Sequence, residues 1–163
     1  MRRVPRRNWC MSEEPAALQE QTFAGATRAT AGSYPPGRRL SARQPGDDLD
    51  RRAFAVIGSC RPDGRPHAAM SACIRRGREF WLPAAGGSVR ERNVRARPWL
   101  AMTITEGDRD ARVVVLAEGS ASVVVPAGVP AEVRAAVTGG WVVTRIRLTA
   151  ERLLSYASEG AVS

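Results

Sequence analysis

Ala53-Phe54-Ala55-Val56-Ile57-Gly58-Ser59-Cys60, Arg61-Pro62-Asp63-Gly64-Arg65-Pro66, and His67-Ala68-Ala69-Met70-Ser71-Ala72-Cys73-Ile74 form the continuous stretch that decides the fold. The first run is small, apolar and partly β-branched, the composition of a strand. Pro62 presets the first central position of a type I turn, Asp63 follows, and Gly64 supplies the left-handed residue that closes it. Two apolar runs around such a turn predict a β-hairpin. Centring the turn on Asp63-Gly64 sets Cys60 opposite Pro66 or His67. Cys73 then lies on the order of 20 Å away at ~3.3 Å per residue, so the two thiols are not disulfide partners in this register. Both are expected to be small core residues.

Reading outward, Arg75-Arg76-Gly77-Arg78 is a second turn and residues 79–83 a third strand. Ser88-Val89-Arg90-Glu91 has the S-x-x-E spacing of a capping box, in which the two side chains satisfy free amides at a helix start. A short helix over 88–97 follows, ended by Pro98 because the residue before proline avoids the helical region. Residues 99–105 alternate, with Leu100, Met102 and Ile104 on one face. An acidic turn leads to a long strand over 112–125, in which Gly119 marks a bulge or bend. A short helix is expected at 130–137. A strand follows over 141–149, with Arg145 and Arg147 opposite Val142, Thr144, Ile146 and Leu148. Residues 150–157 read as a final helical turn or two. The fold class is therefore mainly β: about six mostly antiparallel strands in a small barrel with two or three short helices.

Residues 1–48 differ in texture. They mix Arg, Pro, Ser, Thr, Gly and Gln without a sustained period, and Pro and Gly are dense over 33–46. The expected division is a disordered or weakly ordered basic extension over 1–48, with at most a helical turn or two at 16–21, and the barrel domain over 49–163. The basic start is not followed by an apolar signal-peptide core, so the cytoplasm is the default location. No apolar run approaches the ~18 residues of a membrane span.

The formal charge is +9, from 25 basic and 16 acidic residues. Every basic residue is arginine, a pattern of G+C-rich coding, and the arginines are scattered rather than gathered on one element. Few aromatics are interleaved with them for base stacking, so nucleic acid is not an expected partner. Three cysteines and a single histidine, His67, do not make a zinc site. No Ser/His/Asp set and no paired carboxylates stand out, so no catalytic residue is assigned.

The order of these elements resembles the pyridoxamine 5'-phosphate oxidase-like superfamily of flavin and deazaflavin split β-barrels. The resemblance rests on the hairpin from Ala55 to His67, on Ser88-Val89-Arg90-Glu91-Arg92-Asn93-Val94-Arg95-Ala96-Arg97-Pro98, and on Glu118-Gly119-Ser120-Ala121 in the long strand. It covers residues ~50–157 and has no counterpart for 1–48. It implies a six-stranded split barrel acting as a homodimer, with FMN or the deazaflavin coenzyme F420 in a groove between subunits. It also implies hydride transfer to or from a small organic substrate.

Position by position, the resemblance places Arg90 and Ser88 at the cofactor phosphate, Asn93 on the family's asparagine, and Met70, Ser71 and Ala72 against the ring. The chemistry of the first two is sound without the family. A helix start presents unpaired N–H groups and partial positive charge, and arginine adds a planar fork suited to phosphate. The alternative is that Ser88 and Glu91 only cap the helix and the arginines are solvated. His67 is expected to be a surface or partner-contact residue, and Trp81 a core residue. Pro83-Ala84 stands where many relatives carry a threonine or serine. The competing function is a non-catalytic barrel that binds a flavin, a deazaflavin or a haem-related ligand.

Overall fold

The computed structural model describes residues 13–40, 53–107, 110–136 and 139–162. Six strands form a closed, wholly antiparallel barrel: β1 (Ala53–Cys60), β2 (Pro66–Arg76), β3 (Glu79–Ala84), β4 (Trp99–Glu106), β5 (Val113–Val124) and β6 (Thr144–Ala157). Their order around the barrel is β1-β2-β3-β6-β5-β4. The hairpin register sets Cys60 opposite Pro66 and Cys73 opposite Ala53, and the two are not joined in a disulfide. Gly64 has a φ of 90°, the conformation that the turn requires. Cys73 is buried, but Cys60 is only half-buried and its thiol donates to the Gly64 carbonyl at 3.2 Å, so it belongs to the turn rather than the core.

The barrel interior takes the inward residues of each strand, among them Ile57, Leu82, Leu100, Met102, Ile146 and Leu148. A smaller cluster forms outside the barrel wall. There Ala72, Ile74 and Trp81 of β2 and β3 meet Val129 and Val133, the latter on the short helix Ala131–Ala136. Arg145 and Arg147 lie outward on β6, as their alternation requires. Arg145 is nevertheless buried, and Arg147 stands over the Trp81 ring with its guanidinium 3.5 Å from Glu79.

Three segments depart from expectation. The strand expected from residue 141 begins at Thr144, leaving Trp141 and Val143 exposed. Residues 150–157 are not helical but continue β6. Their buried positions Ala150, Leu153 and Ala157 imitate a helical stripe, because the inward side of β6 switches from even to odd positions across a bulge. Glu118 pairs with Arg152 and Gly119 with Ala150, so Glu151 is the extra residue. Gly119 permits this: a Cβ there would collide with the Thr149 carbonyl oxygen and come within 2.8 Å of the Glu151 amide nitrogen.

The third departure is the amino-terminal extension. Its described part, 13–40, holds α1 (Glu13–Ala24), α2 (Arg28–Ser33) and a 3-10 turn at Pro36–Arg38. The expected disorder at 1–12 and 41–48 lies outside the described residues. Helix α1 packs along β6 where β3 no longer pairs with it. An unpaired strand edge exposes backbone donors that need partners. The Leu153 amide donates to Thr22 Oγ1 at 3.0 Å, and Thr22 in turn donates to the Leu18 carbonyl. Ser155 Oγ donates to Gln19 Oε1 and accepts from the Leu40 amide at 2.9 Å, while Gln19 Nε2 donates to the Leu40 carbonyl at 3.0 Å. The buried stripe of α1 mixes Ala16 and Leu18 with the polar Gln19 and Thr22, and so the hydropathy pattern does not reveal it.

Candidate functional site

The loop after β3 turns into α3 (Val89–Ala96), which lies across one end of the barrel against β1 and β5. Ser88 is its N-cap, and Ser88 Oγ accepts from the Glu91 amide at 3.3 Å. Glu91 completes a variant of the capping box. Its Oε2 accepts from the Gly87 amide at 3.0 Å, and its Oε1 takes two hydrogen bonds from Arg95, at 2.8 and 3.0 Å. The Arg95 hydrogen bonds hold the Glu91 carboxyl below the usual glutamate range. The Gly87 amide adds to this, against the opposing effect of burial.

Three of the four arginines on or just after α3 have protein partners. Arg92 donates to the Gly87 carbonyl, Arg95 to Glu91, and Arg97 to the carbonyls of Arg61 and Pro62 at 3.1 and 3.2 Å. Arg90 differs. Its Nε and Nη1 are buried and have no hydrogen-bond partner among the described residues. Burial alone holds its guanidinium below the ordinary arginine value. Buried guanidinium nitrogens left unpaired are costly, and the first amides of a helix also lack intrahelical partners. An anion at this turn would satisfy both.

The other expected site residues are dispersed. Asn93 is 2% exposed and spent on a contact within the protein, its Nδ2 donating to Ser59 Oγ on β1 at 2.9 Å. Ser59 also lies 3.4 Å from His67 Nδ1, so His67 is half-buried beside this pair rather than on an open surface. On β2 the side chains alternate: Met70 is exposed, Ser71 is buried and donates to the Ala72 carbonyl at 3.0 Å, and Ala72 sits in the outer cluster with Trp81. The structure thus brings Ser88 and Arg90 together on one helical turn and leaves Met70, Ser71 and Ala72 in mid-strand.

Phe54 and Val56, not among the residues expected at a site, are exposed beside Met70 on the outer sheet face. A signal was present in the alternation of β1, which has apolar residues at both odd and even positions. No group of His, Cys, Asp and Glu side chains among the described residues is arranged to hold a metal ion. None of the described helices is long and apolar enough to cross a membrane.

Comparison with known proteins adds the following. The family model for pyridoxamine 5'-phosphate oxidase matches residues 47–159. No curated protein matches the sequence. Among solved structures, the chain is similar to the conserved hypothetical protein Rv2991 from Mycobacterium tuberculosis, with a TM-score of 0.62 and 19% identity over 78% of this chain and 91% of that one. It is similar to HutZ, a haem storage protein from Vibrio cholerae, with a TM-score of 0.55 and 15% identity over 69% of this chain and 91% of that one. It is also similar to General Stress Protein 26 from Bacillus anthracis, with a TM-score of 0.52 and 12% identity over 66% and 87%. At these identities the likeness is one of fold.

Proposed function

The chain belongs to the pyridoxamine 5'-phosphate oxidase family, and on that premise we propose that it is a cytoplasmic, homodimeric oxidoreductase that uses FMN or coenzyme F420 on a small organic substrate. The observation that carries this reading is the pair of buried, unpartnered nitrogens of Arg90 at the start of α3. A phosphate group fits them, because it is an anion with several acceptor oxygens and arginine offers a matching fork. Ser88 Oγ accepts from the Glu91 amide and so keeps its own proton for donation to the same group. Glu91, next in sequence, is engaged elsewhere, its two oxygens accepting from the Gly87 amide and from Arg95.

When bound, either cofactor supplies hydride transfer, and the protein's share is binding and orientation. Arg90 and Ser88 hold the phosphate. Met70, Ser71 and Ala72 offer a ring the small-residue backbone of β2. Asn93 acts one step back, by fixing α3 to β1 through Ser59. Neither nucleic acid nor a membrane is part of this proposal. The test is titration of the purified protein with FMN and with F420, followed by turnover of the reduced cofactor with a panel of quinones and enones. Binding of one cofactor at micromolar concentration with specific turnover supports the reading. Binding of neither contradicts it.

A second reading is a non-catalytic carrier of a flavin, a deazaflavin or a haem-related ligand. HutZ, described as a haem storage protein, shares the fold. His67 is the chain's only imidazole, and its Nδ1 is directed to Ser59. Hemin titration separates the readings: a Soret shift lost in His67→Ala, without cofactor turnover, favours the carrier.

A further inference from the structure

We infer that the amino-terminal extension forms part of the surface through which two copies of this chain associate, with Tyr34 walling that surface; this rests on the homodimer proposed above and says where its seam runs. Two cross-strand rows cross the outer face of the barrel. One is Met70, Val56, Thr103, Leu116 and Leu154; the next is Ala68, Gly58, Ala101, Glu118 and Arg152. The first row is bulky and almost wholly apolar. The second is a trough of small residues that ends on the Glu118–Arg152 ion pair, at 2.6 Å.

Tyr34 and residues of both rows line a groove of 330 Å³. Met70 is 69% exposed, and Phe54 beside it 61%. Large apolar side chains on adjacent strands make a patch of the kind that marks an interaction site.

A second copy is the occupant that this face fits. Ridge and trough lie side by side on one surface, so a two-fold axis through the face lays the ridge of each chain along the trough of the other. The ion pair is internally compensated, so the groove carries no charge that would select an acidic or basic partner. Tyr34 belongs to the segment packed on β6 and therefore closes the groove at its Leu154 end. It is held there: its ring lies 6.1 Å from that of Phe23, Arg39 stands 3.5 Å over Phe23, and Arg39 Nε donates to the Tyr34 carbonyl at 2.7 Å.

The test is sedimentation velocity across a dilution series of the full chain, comparing wild type with Met70→Glu, Tyr34→Ala and Tyr34→Phe. The expected results are a dimeric wild type, a monomeric Met70→Glu, a dissociation constant raised at least tenfold by Tyr34→Ala, and one within threefold of wild type for Tyr34→Phe. A Tyr34→Ala constant within twofold of wild type, with Met70→Glu monomeric, overturns the role of Tyr34 and leaves the homodimer standing. A monomeric wild type, or a Met70→Glu that stays dimeric, removes the homodimer on this face and the inference with it. Should Tyr34→Ala fail to fold, deuterium exchange over residues 28–34 decides. Slower exchange in the wild-type dimer than in the Met70→Glu monomer supports the inference, and equal exchange overturns it.

Discussion

Asn93 on α3 donates its side-chain amide to the hydroxyl of Ser59 on β1, 2.9 Å away and 34 residues apart in sequence. This bond fixes the helix that carries Arg90 to the first strand of the barrel. Replacing Ser59 by Ala leaves a buried amide donor without its acceptor, which costs about 1–3 kcal/mol. Urea unfolding of Ser59→Ala should show that loss, and a difference below about 0.5 kcal/mol would mean that Asn93 finds another partner.

Ser155 should matter as much, though it lies on β6 rather than on β1 or α3. It ties β6 to both α1 and Leu40, so Ser155→Ala strands the Leu40 amide and the Gln19 side-chain oxygen Oε1. A loss of about 1–3 kcal/mol is expected. Limited proteolysis of this variant should cut within the extension first. An unchanged midpoint and cleavage pattern would mean that the extension is not held through this network.

Gly119 cannot become alanine without moving backbone. The added methyl would strike the Thr149 carbonyl and the Glu151 amide, neither of which is a flexible side-chain end. Gly119→Ala is expected to destabilise by about 3 kcal/mol, at the high end for overpacking. A thermal midpoint within a degree of wild type would show that the bulge relaxes freely.

The same bulge marks where the sequence stopped being legible. The first five strands could be read because Pro62-Asp63-Gly64 and the alternation around Leu100, Met102 and Ile104 each respond to one local cause. The switch of side in β6 has its cause in a partner strand, at Gly119, so residues 150–157 gave a false helical spacing. In α1 the buried face includes Gln19 and Thr22, chosen to satisfy the edge of β6 rather than to be apolar, and only the folded partner explains them. Of the candidate site, the capped start of α3 was legible in the S-x-x-E spacing. What the sequence could not tell was that Arg92, Arg95 and Arg97 are occupied and that Arg90 alone among these four is not.

Glu91 gives the site a pH dependence of known sign. Its carboxyl titrates lower in the folded chain than in the unfolded one, first because of Arg95 and then because of the Gly87 amide. A lowered folded value means that ionised Glu91 stabilises the protein above the unfolded glutamate range, near pH ~4.3. That stabilisation fades as pH falls through the folded value. The stability gap between wild type and Glu91→Gln should be full at neutral pH and narrow below about pH 4. A gap that stays constant to pH 3 would place the effect elsewhere than in the charge.

The central claim is that the half-buried Arg90 guanidinium, with its two buried, unpartnered nitrogens, binds a phosphate. Its most direct measurement is the FMN or F420 dissociation constant of Arg90→Met beside that of wild type, with the ligand-free thermal midpoint of each. Methionine fills similar space without a charge. Loss of a charged hydrogen bond should weaken binding by about 1.5–3 kcal/mol, while removal of the unpaired buried nitrogens leaves the ligand-free protein as stable as before or more so. An unchanged dissociation constant together with a destabilised ligand-free protein would contradict the account, because Arg90 would then be a structural cation and the anion site would lie elsewhere.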